Sequence, residues 1–152
     1  MDKLVVTGFL IIAGVISAMM LFNSMVPAIQ QSSDAMTAME RRVDDRMKTQ
    51  IEFIQAAKSG NTVILWVKNV GSVRVLAPDA ADLFFGLQGN FARIPYGVGS
   101  PSWSYIIENG TDWHPSATVK ITITYASPPP AGSYYAKMVL TNGISNEYIV
   151  SW

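Results

Sequence analysis

The residues of this sequence that could do chemistry are few and scattered. His114 is the single histidine and there is no cysteine, so neither a multi-histidine nor a thiolate metal site can form. No nucleophile elbow, phosphate-binding loop or zinc-protease motif occurs. Oxygen ligands suit calcium, but solvated loop positions explain the available carboxylates better: Asp79, Asp82 and Asp112. The sequence predicts a protein without catalytic residues, cofactor or metal site, and therefore not an enzyme.

Aromatic residues and one sequon are the remaining candidates for a binding or modification site. We interpret the four tryptophans as core and rim of a β-domain, with an aromatic sugar-binding surface as the alternative: Trp66, Trp103, Trp113 and Trp152. Asn109-Gly110-Thr111 is the single N-x-[ST] sequon, which predicts glycosylation of Asn109 in an exported domain. The same Asn-Gly pair favours a type I′ hairpin turn, and the two interpretations are compatible.

The N-terminal segment is apolar enough to be a membrane anchor. No charged residue occurs between Lys3 and Asp34. The apolar run 4–25 would span roughly 33 Å as a helix, close to the hydrocarbon core of roughly 30 Å. A cleaved signal peptide would have a shorter core and a small-residue cleavage site. We therefore predict a retained transmembrane helix over residues 1–27.

Two patterns predict helix contacts along this rod. Ala13/Ser17 and Gly14/Ala18 are small-xxx-small pairs, which let helices approach closely in membranes. An amphipathic helix is predicted over 28–59, kinked at Pro27 and ended by a Ser-Gly-Asn sequence. Its apolar stripe, opposite a charged face, supplies the remaining predicted helix-packing residues: Met36, Met39, Val43, Met47, Ile51 and Ile54.

Residues 60–152 are predicted to form an antiparallel β-sandwich, so the fold class is α+β. Short β-branched and aromatic runs alternate with Gly, Pro and Asn turn signals. About seven strands are predicted, at 62–68, 73–76, 82–85, 105–108, 118–125, 134–140 and 148–152. Net charge is zero and no basic patch accompanies the strands, which disfavours nucleic acid as a partner.

This layout resembles the archaellins and the archaellum stator components, the F and G proteins. Three stretches carry the resemblance: the rod and its exit over 21–56; the run LWVKNVGS (65–72), followed by ADLFF; and Trp113-His114-Pro115 leading to VKITITY and the hairpin MVLTNGISNEYIV. No short basic leader ending in Gly or Ala precedes the hydrophobic run, and no glutamate lies near its start as in bacterial type IV pilins. These departures favour an unprocessed stator component over a filament subunit.

The resemblance implies a structural role in archaeal motility, as an anchoring or stator element of the archaellum motor. It implies a single-pass membrane protein with its N-terminus in the cytoplasm and its sandwich in the archaeal pseudoperiplasm or at the cell surface. The implied partners are the membrane, further copies or a companion stator protein, the S-layer and the motor proteins. The alternatives are a filament-forming archaellin or pilin and a membrane-tethered carbohydrate-binding module.

Overall fold

The computed structural model describes residues 2–152, which contain one long helix and eight strands. The chain divides into two compact units, Met1–Arg42 and Val43–Trp152. The helix is α1 (Asp2–Lys48), and a 3-10 turn covers Pro78–Ala80. The strands are β1 (Ile51–Ser59), β2 (Thr62–Asn69), β3 (Asp82–Leu87), β4 (Asn90–Ile94), β5 (Ser102–Ile107), β6 (Thr118–Thr124), β7 (Ser133–Val139) and β8 (Ser145–Ser151).

Helix α1 is continuous over 47 residues and contains Pro27. Within Asp2–Lys48 no side chain is buried, and the helix is long and apolar enough to cross a membrane. Exposed residues near its middle include Phe22, which is 74% accessible. Met1, the first residue of the predicted anchor, lies outside the described residues. Because no side chain of α1 is buried, its apolar surface needs lipid or protein to cover it.

The predicted end of the amphipathic helix at residue 59 is wrong, because α1 ends at Lys48 and residues 51–59 form β1. Ile51 and Phe53 are buried while Glu52 between them is exposed, which is the period of a strand. The apolar spacing changes from helical to alternating at this point, but Ile51 and Ile54 also match a helical spacing. A bulge between Phe53 and Gln55 then breaks the alternation. For this reason the sequence pattern did not indicate a strand here.

Residues 51–151 form the predicted antiparallel β-sandwich. One sheet has the strand order β1-β2-β6-β5 and the other β4-β3-β7-β8. Alternate residues of the central strands face inward: β2, β6 and β7 each alternate between buried and partly exposed positions. The inward positions form one apolar core that includes Leu65, Ile121 and Trp103. Both sheets therefore bury one face against the other, as in aligned sandwiches.

Two strands were missed and one predicted strand is absent from the described residues. Besides β1, the five-residue β4 was missed; it follows a tight turn in which Gly89 has a φ of 88°. The predicted strand 73–76 is replaced by a single bridge from Val75 to Trp113. Ala77 with a φ of 47° and the following Pro78 turn the chain away there.

Candidate assembly site

The helix-packing face predicted from small residues lies on the apolar N-terminal part of α1. Ala13, Gly14, Ser17 and Ala18 are all exposed. Apart from the adjacent residues and the helix's own nearby backbone, a Cβ built on Gly14 would meet no heavy atom of the described residues within 4 Å. This face is open to a second helix, and the prediction that it packs against one remains a prediction.

The predicted stripe beyond Pro27 is exposed on α1 up to residue 47. Met36 is 68% accessible, Met39 70%, Val43 51% and Met47 81%. At 100° per residue these four side chains fall within roughly 80° of one another. We call them the stripe. Exposed methionines at helical spacing suit a partner surface that can repack.

The two isoleucines predicted to extend the stripe belong to the sandwich instead. Ile51 is 2% accessible and sits in the sandwich core. Ile54 is the unpaired residue at the bulge of β1 and is 50% accessible. The assignment of both to a helix face is corrected, since neither is helical.

The end of α1 is fastened to the turn after β2, and we call this the joint. Its helix side is Val43–Lys48 with Thr49 and Gln50. The backbone N–H groups of Val70 and Gly71 both donate to the Gln50 carbonyl, at 2.9 and 3.0 Å. Ser72 N–H donates to the Lys48 carbonyl at 2.9 Å. The bond from Ser72 satisfies a carbonyl that the end of the helix leaves free, and the other two bonds hold the residue just before β1.

Gly71 makes this close contact feasible. A Cβ at position 71 would lie 2.4 Å from the Lys48 carbonyl oxygen and 2.6 Å from the Gln50 nitrogen. Both are backbone atoms that a side-chain rotation cannot move. Glycine is the residue that lets two backbones approach this closely.

Asn69 organises the turn from inside the sandwich, where its side chain is inaccessible to solvent. Its Nδ2 donates to the carbonyls of Val73 and Trp113, at 2.9 and 3.1 Å. Its Oδ1 accepts from Gly71 N–H at 3.0 Å. One buried amide therefore ties three segments, and burial without these partners would be costly.

The joint is closed on its other side by the turn between β7 and β8. Thr49 N–H donates to the Asp45 carbonyl at 3.0 Å, and Asn142 Nδ2 donates to Thr49 Oγ1 at 2.9 Å. Lys48 pairs with Asp44 at 2.7 Å, and this pairing raises the pKa of the Lys48 ammonium. The last turn of the helix is thus part of the sandwich unit rather than a loose extension.

The outer face of the β4-β3-β7-β8 sheet carries an aromatic patch that sequence reasoning missed. Phe91 and Tyr135 lie on either side of Gly86 in the register, with ring centroids 4.6 Å apart. Ile149 faces Tyr135 from β8 and is 55% accessible. We call Phe91, Tyr135 and Ile149 the patch. The alternation of inward- and outward-facing residues in β7 and β8 was the only feature of the sequence that could have indicated the patch.

Charged pairs flank the patch on the same face. Lys137 contacts Glu147 at 2.7 Å, and hydrogen bonds from Lys137 and then Tyr135 lower the pKa of the Glu147 carboxyl. Asp82 pairs with Arg93 from β4. A small apolar centre surrounded by polar and charged side chains is typical of a protein interface, with the charges forming its rim.

The three loop carboxylates considered for calcium do not form one cluster: Asp79 and Asp112 line one groove together with Arg74, and Asp82 pairs elsewhere. Asp82 pairs with Arg93, and Asp112 pairs with Arg74 at 3.1 Å in a different part of the sandwich. Within residues 2–152 no group of three acidic, histidine or cysteine side chains is placed to hold a metal. His114 is exposed, and its Nδ1 lies 2.8 Å from the Pro115 carbonyl oxygen.

Three of the four tryptophans, Trp103, Trp113 and Trp152, lie in or against the core of the sandwich, whereas Trp66 faces outward. Trp103 and Trp113 are 2% and 1% accessible, so neither offers a face to a sugar. Trp113 Nε1 donates to the Ala117 carbonyl at 3.2 Å. Trp152 stacks on Tyr134 with centroids 5.1 Å apart, and Trp66 is half-buried on the outer face of the other sheet. Trp103 and Trp113 therefore serve to pack the two sheets together.

The sequon lies in the loop 108–117 between β5 and β6, so it is not the two-residue hairpin turn that the Asn-Gly pair allowed. Asn109, Gly110 and Thr111 are all exposed. Asn109 Oδ1 accepts a hydrogen bond from Thr118 N–H at 2.9 Å. The loop is tied down by the bridge between Trp113 and Val75.

Comparison with known proteins finds one relative in sequence and two solved structures with a similar fold. No protein-family model matches the chain. An uncharacterized protein of Archaeoglobus fulgidus is 28% identical over 163 aligned residues, covering 99% of this chain and 98% of that protein. The archaellum periplasmic stator protein FlaG from Sulfolobus acidocaldarius is 28% identical with a TM-score of 0.61, covering 67% of this chain and 99% of its own.

The stator protein complex of FlaF and FlaG from the same organism gives a similar result. It is 28% identical with a TM-score of 0.60, covering 67% of this chain and 89% of the matched chain. The likeness combines sequence identity with a shared fold over nearly the whole solved FlaG chain. In sequence and in fold this chain is therefore similar to the archaellum periplasmic stator proteins, as the resemblance of its sequence predicted.

Proposed function

We propose that this chain is a structural component of the archaellum motor, acting as a stator. The observation that carries the proposal is the likeness to FlaG, which is 28% identical with a TM-score of 0.61 and is matched over 99% of its length. Both structural relatives are stator proteins rather than enzymes. The chain's own surfaces fit such a role, because they offer apolar faces for assembly.

The membrane anchor is the first part of the proposed mechanism. The N-terminal part of α1 inserts in the cytoplasmic membrane with its N-terminus inside the cell, and the sandwich lies outside. The exposed apolar surface of this part of the helix supports insertion. The small-residue face at Gly14 and Ala18 is available for contacts between helices in the bilayer.

The second part is the attachment of the last helical turn to the sandwich, within the unit Val43–Trp152. A stator must resist force. The backbone runs from the helix through the joint into β1, so any force along this chain passes through the joint. The Gln50 and Lys48 carbonyls are held by three backbone donors of the turn after β2. A tight turn organised by the buried Asn69 transmits force better than a flexible linker would.

The third part is assembly with other proteins. The FlaF–FlaG complex is a precedent for pairing with a companion stator protein, and we assign such a contact to the stripe on α1. Contacts of the sandwich with the S-layer and with motor proteins follow from the same role. The carbohydrate-binding alternative gains no support from the tryptophans, since two of the four are buried. The filament-subunit alternative shares the apolar helix faces and is separated from the stator by experiment.

The stripe offers a direct test in cells that carry this chain. Val43→Asp and Met39→Asp each place a carboxylate in the stripe, and burying an unpaired charge costs several kcal/mol. We expect both variants to reach the membrane at normal levels, to lose co-purification with the companion or motor proteins, and to abolish swimming.

Arg41→Asp is the matched control, because position 41 lies on the opposite side of the helix and is exposed. It should leave swimming largely intact. Normal swimming and intact complexes in both stripe variants would contradict the assembly role of α1. Recovery of the wild-type protein in sheared filaments, rather than in membranes, would favour a filament subunit over a stator.

A further inference from the structure

We propose that Asn109 carries an N-linked glycan. The proposal rests on the proposed function in one respect, since it requires the sandwich to lie outside the cytoplasm. It adds a covalent modification site, at the exposed loop 108–117 between β5 and β6. Asn109-Gly110-Thr111 supplies both the acceptor amide and the hydroxyl residue two positions later, which an N-glycosylation acceptor requires.

A comparison of the two Asn-Gly pairs in the sandwich supports this assignment. Asn142-Gly143 is followed by Ile144 and lacks the hydroxyl residue. Asn142 also uses both ends of its amide, because Nδ2 donates to Thr49 and Oδ1 accepts from Ile144 N–H. This pair forms a structural turn at the joint, and its amide nitrogen is committed.

Asn109 is arranged differently. Its Oδ1 accepts from Thr118 N–H at 2.9 Å, which holds the side chain in place without using the nitrogen. Among the hydrogen bonds of residues 2–152, none involves Asn109 Nδ2 or the Thr111 hydroxyl. Both residues are exposed. The reacting atom and the recognition hydroxyl are therefore accessible together on one loop.

The chemistry needs an activated sugar as co-reactant, and a polyprenyl-phosphate-linked glycan supplies it. Asn109 Nδ2 forms a bond to the anomeric carbon of the sugar. The bond from that carbon to the phosphate oxygen of the carrier breaks, and the lipid phosphate leaves with the bonding electron pair. One amide proton is lost and balances the charge on the leaving phosphate. No oxidant or reductant is involved.

The position of the loop decides what the glycan covers. Thr118 opposes Lys68 in the register, so the loop 108–117 lies at the end of the sandwich that also holds the joint. The salt bridge between Arg74 and Asp112 ties it to the loop after β2. The glycan therefore emerges near the end of edge strand β5, whereas the patch lies on the outer face of the other sheet and stays uncovered.

Mass spectrometry of the full-length protein purified from its own cells tests the proposal. We expect a glycopeptide that contains Asn109. Asn109→Gln and Thr111→Ala should each restore the mass given by the sequence, while Thr111→Ser keeps the hydroxyl and should keep the glycan. Thr111→Ala leaves the Asn109–Thr118 hydrogen bond in place, so loss of the glycan in this variant is not explained by misfolding.

Two readouts separate this proposal from the proposed function. External protease added to intact cells should cleave the sandwich if it is exported. An exported sandwich whose Asn109 is unmodified, or carries only the mass gain of deamidation, overturns the glycosylation proposal and leaves the stator role intact. A sandwich protected inside the cell overturns both. Retention of the glycan in Thr111→Ala would also contradict the assignment.

Discussion

The helical residues 2–42 and the unit Val43–Trp152, which contains the sandwich, differ in the exposure of their apolar side chains. In the helix, large residues such as Leu4 and Phe22 are 82% and 74% accessible. In the sandwich, Leu65, Val119 and Ile121 are wholly inaccessible. The sandwich therefore holds its own core, while the helix depends on lipid or a partner. The same residue types support folding in one region and assembly in the other.

The largest expected effect is on stability, in a comparison of two truncated proteins. Removal of residues 1–42 should leave a β-sheet protein that unfolds cooperatively. Removal of residues 1–59 also deletes β1, whose Ile51 and Phe53 are 2% and 4% accessible, and the loss of their burial costs several kcal/mol. Circular dichroism and thermal unfolding should show a folded shorter protein only in the first case. Equal stability of both truncations would mean that β1 is not part of the core.

Substitution of Gly71 should have the next largest effect. Gly71→Ala forces a Cβ against the Lys48 carbonyl at 2.4 Å, and overpacking of this kind costs about 1–3 kcal/mol. The free energy of unfolding, measured with denaturant on full-length protein, should fall by that amount. Ser72→Ala is the control, because it keeps the backbone N–H that bonds to Lys48. An unchanged stability of Gly71→Ala would show that the joint is loosely packed.

Substitution in the helix should change assembly without changing the stability of the sandwich. Gly14→Leu keeps the segment hydrophobic but fills the small-residue face, so oligomers in membranes or detergent should be lost. Gly8→Leu lies roughly 120° away around the helix and should have no such effect. Cross-linking in membranes measures the first result and thermal unfolding the second. Oligomers that survive Gly14→Leu would mean that this face contacts lipid.

The smallest expected effect concerns pH and the charged pair beside the patch. Hydrogen bonds from Lys137 and Tyr135 lower the pKa of Glu147 in the folded state. Its stabilising contribution is therefore present above the ordinary carboxyl pKa and is lost as pH falls through the lowered value. Thermal midpoints of wild type and Glu147→Gln should differ slightly at neutral pH and converge in acid, because the pair is exposed. A difference that persists unchanged into acid would rule out Glu147 ionisation as its cause.

The sequence was sufficient to predict the fold class, the apolar helix and most strands, because these follow from local periodicity. It misplaced the helix end, since Ile51 and Ile54 satisfy a helical and a strand pattern equally well, and the bulge beside Ile54 removes the alternation. The short edge strand β4 carries one buried residue, Ile94, which leaves too little pattern to recognise.

The joint was visible in the sequence only as a signature. The run Lys68-Asn69-Val70-Gly71-Ser72 supported the resemblance to the archaellum proteins, but its role depends on contacts with Lys48 and Gln50. Tertiary contacts of this kind leave no periodic trace in a sequence. The patch was missed for a related reason, because Phe91 and Tyr135 come together only when β3, β4 and β7 pair in register.

The pairing of β1 also determines how the sandwich would respond to mechanical tension. Tension from the helix enters β1 at Ile51, which pairs with Asn69, and the strand then runs to Ser59, which pairs with Thr62. When the sandwich is held by a partner at the end near Ser59, the force acts along β1. The interstrand hydrogen bonds are then loaded in shear and resist together, instead of opening one after another. Resistance to such a pull is governed by the rate of forced unfolding, so a domain of ordinary equilibrium stability can hold against a turning motor.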